Sequence, residues 1–135
     1  MSLPSAASLH AYALVFLGAG LGGALRHGVN LAALRWLGAS FPFGIFAINV
    51  TGSLAMGLLA GWLSLHAASD WAPWTRLFLA TGLLGGYTTF SAFSLDAMAL
   101  IEQGAFGLAA IYAVGSVVAS VAACGLGLIA GRGFA

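Results

Sequence analysis

Long uncharged stretches dominate the pattern of hydrophobic and polar positions along this chain. Reading between charged residues gives four of them: Leu9–Leu25, Phe41–Leu65, Leu77–Leu95 and Gly104–Gly131. A helix that crosses a hydrocarbon core of about 30 Å needs about 20 apolar residues, so each stretch is a candidate span. Four crossings with short connections use up the chain. The pattern predicts one all-helical transmembrane domain over residues 1–135, with spans near 9–34, 41–65, 75–103 and 104–131.

Composition identifies lipid as the solvent for these helices. Hydrophobic residues make up 61% of the chain and charged residues only 5%, whereas a soluble domain carries about 25% charged residues. The basic residues are all arginines and lie far apart, which excludes a nucleic-acid-binding surface. The sequence contains no readable cluster of metal ligands and no nucleophile–base pair, so an enzyme is not expected.

The arginines carry information about orientation. Four spans would place Arg76 and Arg132 on one side of the membrane and Arg26 and Arg35 on the other. This even distribution gives no positive-inside bias. A chain without a bias can insert either way up, and an inverted pair can then form one antiparallel dimer. The alternative is that so few charges carry no topological signal.

Glycines recur at the small-xxx-small spacing that lets helix backbones approach closely in lipid. The pairs are Gly18 and Gly22, Gly57 and Gly61, Gly82 and Gly86, and Gly127 and Gly131. The spacing predicts close helix contacts. It does not distinguish contacts within a subunit from contacts between subunits.

Polar side chains inside the spans are costly, so they are the first candidates for function. Asn49 lies in the second span and offers both a hydrogen-bond donor and an acceptor, either for a permeating ion or for a neighbouring helix. Tyr112, Ser116 and Ser120 recur every four residues along the fourth span and form one stripe of neutral donors. Such a stripe suits an anion that must lose water. The alternative is that the serines bond to their own helix backbone.

The segment Gly85–Ser94, in the middle of the third span, is poor material for a continuous helix. Two glycines are followed by hydroxyl residues, among them Thr88, Thr89 and Ser91. We therefore expect a break in this helix, although an intact helix with closely packed small residues is the alternative. Freed backbone groups at membrane depth are tolerated where they are buried in protein, bind an ion or face water. Phe90 and Phe93 follow one turn apart, and their ring edges can face an anion.

Three motifs together resemble the bacterial fluoride channels called Fluc or CrcB. The motifs are Gly22–Arg26, Asn49–Ser53 and Gly85–Ser94, and the resemblance runs in order over essentially the whole chain. It implies an antiparallel, dual-topology homodimer in the bacterial inner membrane, with two pores that passively export fluoride and confer fluoride resistance. It implies no protein partner beyond the second copy.

The resemblance also assigns roles to individual residues. Phe90 and Phe93 would form a phenylalanine box that lines the pores, and Asn49 would hydrogen-bond the ion. The other pore residues implied are Thr89, Ser91, Tyr112, Ser116 and Ser120. The carbonyls of Gly85 and Thr88 from both subunits would bind a structural Na⁺ on the dimer axis. Arg26 would line an aqueous vestibule, unless it only reaches the lipid headgroups.

Two positions depart from the pattern of that family. Ile45 stands where the family often has threonine, and Asp96 stands where it commonly has glutamate. These departures bear on conductance and gating rather than on the function itself.

Two other classes of protein are the main competitors. A small proton-coupled multidrug exporter needs a membrane-embedded carboxylate, generally in its first span, and the first span here has none. A structural subunit of a larger complex would explain the glycines, but not the combination of helix break, paired phenylalanines and hydroxyl stripe.

Overall fold

A computed structural model describes residues 6–133 of the chain, and every regular element in that range is helical. The first two long helices are α1 (Ala6–Leu37) and α2 (Phe43–Leu65), and the last is α6 (Phe106–Arg132). Shorter pieces lie between them: α3 (Ala72–Thr75), a π-helical segment (Arg76–Leu84), α4 (Gly85–Tyr87) and α5 (Phe90–Glu102). The prediction of an all-helical fold is confirmed.

Three helices are long and apolar enough to cross a membrane. They are Leu9–Leu37, Phe43–Leu65 and Phe106–Arg132, close to three of the four predicted spans. The remaining predicted span, 75–103, consists of the shorter pieces and is not one continuous helix. Large apolar side chains cover the exterior, with Trp36 84% and Phe16 78% exposed. Such a surface suits lipid and not water.

Glycine and proline mark the ends of the helices. Gly38 follows α1 with φ +78°, and Gly104 lies between α5 and α6 with φ +75°. This left-handed conformation, which commonly ends a helix, carries little penalty for glycine. Pro42 immediately precedes α2, where its missing N–H costs no helical hydrogen bond. The turns at these positions return the chain across the bundle.

Helices α2 and α6 pack backbone to backbone through glycines. A methyl group added at Gly61 would lie 2.5 Å from the Leu128 carbonyl oxygen, and one at Gly127 would lie 2.8 Å from the Leu58 nitrogen. Gly57 and Gly131 pack in the same way, against the backbone of Cys124 and Leu58.

Helix α1 packs in the same manner against the segment that leads to α4. Gly18 approaches Gly82, and a methyl group at Gly18 would lie 2.6 Å from the Phe78 carbonyl oxygen. Gly86 lies directly on the backbone of Ala19. All the predicted small-xxx-small pairs therefore make contacts within one chain, so they do not by themselves indicate a dimer.

Gly127→Ala is expected to destabilise the bundle, because the new methyl group would overlap the backbone of α2. Overpacking of this kind costs about 1–3 kcal/mol in the free energy of unfolding. Gly125→Ala is the matched control on the same helix, since a methyl group there meets nothing within 4 Å. Unfolding by SDS titration should separate the two variants. Equal stability would contradict the packing described here.

Candidate ion-binding cavity

A cavity of about 290 Å³ lies between α2, α6 and the start of α5. Its lining is mostly apolar, with hydroxyl and amide groups at intervals and, among the described residues that line it, no charge. The lining residues are Asn49, Ser53, Thr88, Thr89, Phe90, Phe93, Ser116, Val117, Ser120 and Val121. The structure thus brings together most of the site residues expected from the sequence, although these come from three separate spans.

The hydroxyls of Ser116 and Ser120 are buried in this cavity, and neither has a hydrogen-bond partner in the described part of the chain. Other hydroxyls do bond to their own helix: Thr51 donates to the Ala47 carbonyl at 2.7 Å, and Ser94 donates to the Phe90 carbonyl at 2.9 Å. The alternative for the hydroxyls on α6 was that they donate to carbonyls of their own helix. In the described part of the chain, Ser116 and Ser120 do not. A buried hydroxyl without a partner costs free energy, so these two are ready to donate to a ligand.

The helical path is interrupted where the cavity meets α5. Helix α4 ends at Tyr87 and α5 begins at Phe90, while Thr88 (φ −79°, ψ 155°) and Thr89 (φ −154°, ψ 125°) are extended. The Thr89 side chain caps α5, because its Oγ1 accepts a hydrogen bond from the Ala92 N–H at 3.2 Å. This is the usual way for a threonine to satisfy an amide in the first turn of a helix.

Asn49 bridges α2 to this interruption with two reciprocal hydrogen bonds. The Thr89 N–H donates to Asn49 Oδ1 at 2.9 Å, and Asn49 Nδ2 donates to the Thr89 carbonyl at 3.0 Å. One side chain therefore satisfies both backbone groups of a residue that has left the helix. A carboxamide carries two N–H donors, so the second one remains for the cavity that Asn49 lines.

The carbonyls of Gly85 and Thr88 lose the amides that would pair with them in a continuous helix. A helical carbonyl accepts from the residue four positions on, which is Thr89 for Gly85 and Ala92 for Thr88. The Thr89 amide is taken by Asn49 and the Ala92 amide by the Thr89 hydroxyl. Two carbonyl oxygens three residues apart are thus left available, and oxygen donors of this kind fit a hard cation such as Na⁺.

Phe90 and Phe93 form a ring pair at the cavity, with centroids 5.3 Å apart and planes inclined at 44°. Phe90 is 77% exposed. Phe93 packs inward against Tyr112, with a centroid distance of 5.2 Å.

Besides Gly85, three of the expected site residues are not in the lining of the cavity. Tyr112 is fully buried, and its hydroxyl donates to Asp96 Oδ2 at 3.3 Å. Ser91 Oγ lies 3.1 Å from Thr89 Oγ1. Arg26 lies on α1, four residues after Gly22, and does not line the cavity.

Two features of the site were not assigned from the sequence. Ser53 lines the cavity one turn along α2 from Asn49. Its spacing of four residues from Asn49 would have been enough to predict that both side chains lie on the same face. The Asp96 carboxylate accepts the Tyr112 hydrogen bond. No local pattern links these two residues, because they lie on different helices.

Several known proteins are similar in sequence to the chain. The family model described as CrcB-like protein, Camphor Resistance (CrcB), matches residues 13–128. The fluoride-specific ion channel FluC of Methylobacterium nodulans is 60% identical over 121 residues, which cover 90% of this chain and 95% of that protein. FluC 2 of Nitrobacter hamburgensis is 57% identical over 120 residues, covering 89% and 92% respectively. FluC of Novosphingobium aromaticivorans is 54% identical over 127 residues, covering 93% and 98%.

Ser116→Ala should leave the thermal unfolding temperature unchanged or raise it when fluoride is absent. The substitution removes a buried hydroxyl that has no partner within residues 6–133, whereas a substitution that leaves a buried group without its partner costs about 1–3 kcal/mol. Tyr112→Phe is the contrasting variant, because it leaves the Asp96 carboxylate without its donor, and its unfolding temperature should fall. A fall for Ser116→Ala as large as that for Tyr112→Phe would mean that the Ser116 hydroxyl is bonded.

Proposed function

The chain belongs to the CrcB-like family, and on that premise we propose that it is a fluoride-selective passive ion channel. The family match and the relatives named fluoride-specific ion channels extend over most of the chain. The protein is accordingly a channel and not an enzyme.

The unpartnered hydroxyls of Ser116 and Ser120, in a cavity without charge, are the observation that carries this proposal. Fluoride is small and strongly hydrated, so an ion that leaves water needs several donors in place of its hydration shell. Neutral donors can do this without holding the ion too tightly to release, which conduction requires. An arginine in the same place would bind the ion and retain it.

The finer architecture that we propose is an antiparallel, dual-topology homodimer with two pores. Phe90 is exposed beside the open side of the cavity, so a second copy of the chain would close the cavity and complete the box with its own Phe90 and Phe93. The even distribution of arginines supports insertion in both orientations. In this assembly the third, interrupted span crosses the membrane and places the break near its middle.

The remaining residues take roles along the path of the ion. Asn49 donates its second amide N–H at the box, and Ser116 and Ser120 continue the path along α6. Tyr112 forms the end of this polar track, with Thr89 and Ser91 beside the box. Arg26 attracts anions at the vestibule, where a positive charge raises the local concentration of fluoride.

A structural Na⁺ is part of the proposal and would be held by the Gly85 and Thr88 carbonyls of both subunits. The support for it is that both carbonyls are deprived of their helical amides. When bound, Na⁺ would supply positive charge between the two broken helices and offset the repulsion of carbonyl oxygens brought together from two chains.

The physiological role that we propose is export of fluoride from the cytoplasm across the bacterial inner membrane. Neutral HF crosses lipid and ionises inside, and the anion then leaves down its gradient through the channel. This gives fluoride resistance without an energy source. The rival exporter needs a membrane carboxylate at its substrate site, but none of the described residues lining the cavity is acidic.

Liposomes that contain only this purified protein and KF should release fluoride rapidly when valinomycin is added. Identical liposomes loaded with KCl should retain chloride, because the larger ion fits a narrow, donor-lined path poorly. A fluoride electrode and a chloride electrode make the comparison directly. If verified dimers release no fluoride, the channel function is wrong and the bundle is a structural subunit or a transporter of another solute.

Phe90→Ile and Phe93→Ile should each lower fluoride flux by about tenfold or more while the dimer still forms. Loss of the ring edge removes a favourable contact for the anion, and about 1.4 kcal/mol of barrier corresponds to a tenfold change in rate. Phe16→Ile is the control, since Phe16 is 78% exposed on α1 and does not line the cavity. Full flux in both box variants would remove the rings from the mechanism.

A further inference from the structure

Helix α2 contacts each of three consecutive residues at the interruption. Thr51 Oγ1 lies 3.0 Å from the Tyr87 hydroxyl, within hydrogen-bonding distance. Gly52 leaves the space that the Thr88 side chain occupies, and a methyl group there would collide with Thr88 Cγ2. Asn49 then binds both backbone groups of Thr89. The shape of the break is therefore fixed from outside the broken helix, by one short segment of α2.

The bond to the Thr89 amide has consequences on both sides of the break. On one side it removes the donor that the Gly85 carbonyl would use in a continuous helix, and so leaves that carbonyl available. On the other side it holds Thr89 in the extended conformation from which its hydroxyl caps α5. Since Phe90 is the first residue of α5, the same bond sets where the Phe90 and Phe93 rings lie.

We propose that Asn49 is a positioning residue that keeps the helix broken and thereby links the cation-facing carbonyls to the anion cavity. The reference to ions rests on the proposed function, whereas the structural part stands on the Thr89 hydrogen bonds alone. Asn49 acts here through the backbone of Thr89, in addition to the donor that it offers to the cavity.

Asparagine suits this position because its side chain has a donor and an acceptor side by side. Aspartate at this position would keep the acceptor but lose the donor for the Thr89 carbonyl, and alanine would lose both. Without Asn49, the Thr89 amide would be left unpaired in an apolar bundle. It would then recover a partner only by returning to the Gly85 carbonyl, which would close the break.

Hydrogen exchange of individual amides in the folded dimer, measured by NMR in buffer with Na⁺ and without fluoride, tests the proposal. In the unaltered protein, the Thr89 amide should exchange slowly although it lies outside any helix. Asn49→Ala should raise its exchange rate by about tenfold or more, because one hydrogen bond is lost. If the amide instead returns to the Gly85 carbonyl, the Thr89 Cα and Cβ chemical shifts should move from extended to helical values. Ser53→Ala is the matched control, since Ser53 lines the same cavity one turn away and makes no bond to Thr89.

Two results would overturn the positioning role. One is a folded Asn49→Ala protein in which Thr89 exchanges as slowly as in the parent and keeps the chemical shifts of an extended backbone. The other is rapid exchange at Thr89 in the unaltered protein. This measurement needs no variant, so it can be made even if Asn49→Ala does not fold. Slow exchange there, with one of the two Asn49 side-chain amide protons also protected, supports the proposal.

The proposed effect of Asn49 on cation binding is tested by a separate measurement, the dependence of thermal unfolding on Na⁺. Asn49→Ala should lose most of the rise in thermal unfolding temperature that added NaCl gives over choline chloride, whereas Ser53→Ala should keep that rise. An unchanged rise in Asn49→Ala would reject the link. Failure of the fluoride efflux experiment would instead reject the proposed function and leave the Thr89 exchange result standing.

Discussion

An interrupted helix inside an apolar bundle must find partners for the backbone groups that it releases, and this constraint shapes the structure around Thr88 and Thr89. Lipid offers no hydrogen bonds, so each freed N–H and C=O must be satisfied by protein or by an ion. The amides are satisfied: Asn49 takes that of Thr89, and the Thr89 hydroxyl takes that of Ala92. The Gly85 and Thr88 carbonyls thereby lose the amides that a continuous helix in this part of the chain would give them. The break is therefore rich in hydrogen-bond acceptors, which is the reason for proposing a cation there.

Packing on both sides of the interruption also holds the extended residues in place. The backbone of the segment before the break lies directly on α1 because Gly18 and Gly86 carry no side chain, and Thr88 fits against α2 because Gly52 has none. Close approach on both sides leaves the interrupted segment little freedom to move. A residue held in this way can keep strained or incompletely paired backbone that would rearrange in a looser setting.

The sequence predicted the helical class, the three long helices and the unusual segment Gly85–Ser94, because these follow from composition and local propensity. It also predicted that Ser116 and Ser120 share a face, since helical periodicity alone requires that. It left open whether those hydroxyls bond to their own helix, because a serine rotamer depends on what surrounds it. The bonds of Asn49 to Thr89, forty positions away, and of Tyr112 to Asp96 also depend on tertiary packing. The residue types alone could not decide them.

The bundle would be more stable if the Ser116 and Ser120 hydroxyls were absent, since neither has a partner among the described residues. Positions that break a folding rule without local compensation are expected where a protein binds something that is not part of the chain. The same logic applies to the Gly85 and Thr88 carbonyls. Within residues 6–133, hydroxyl donors without a partner and carbonyls without their helical amides are the groups for which we propose ions of opposite sign. The anion path and the cation site that we propose would thus both lie next to Asn49, which lines the cavity and binds the Thr89 amide.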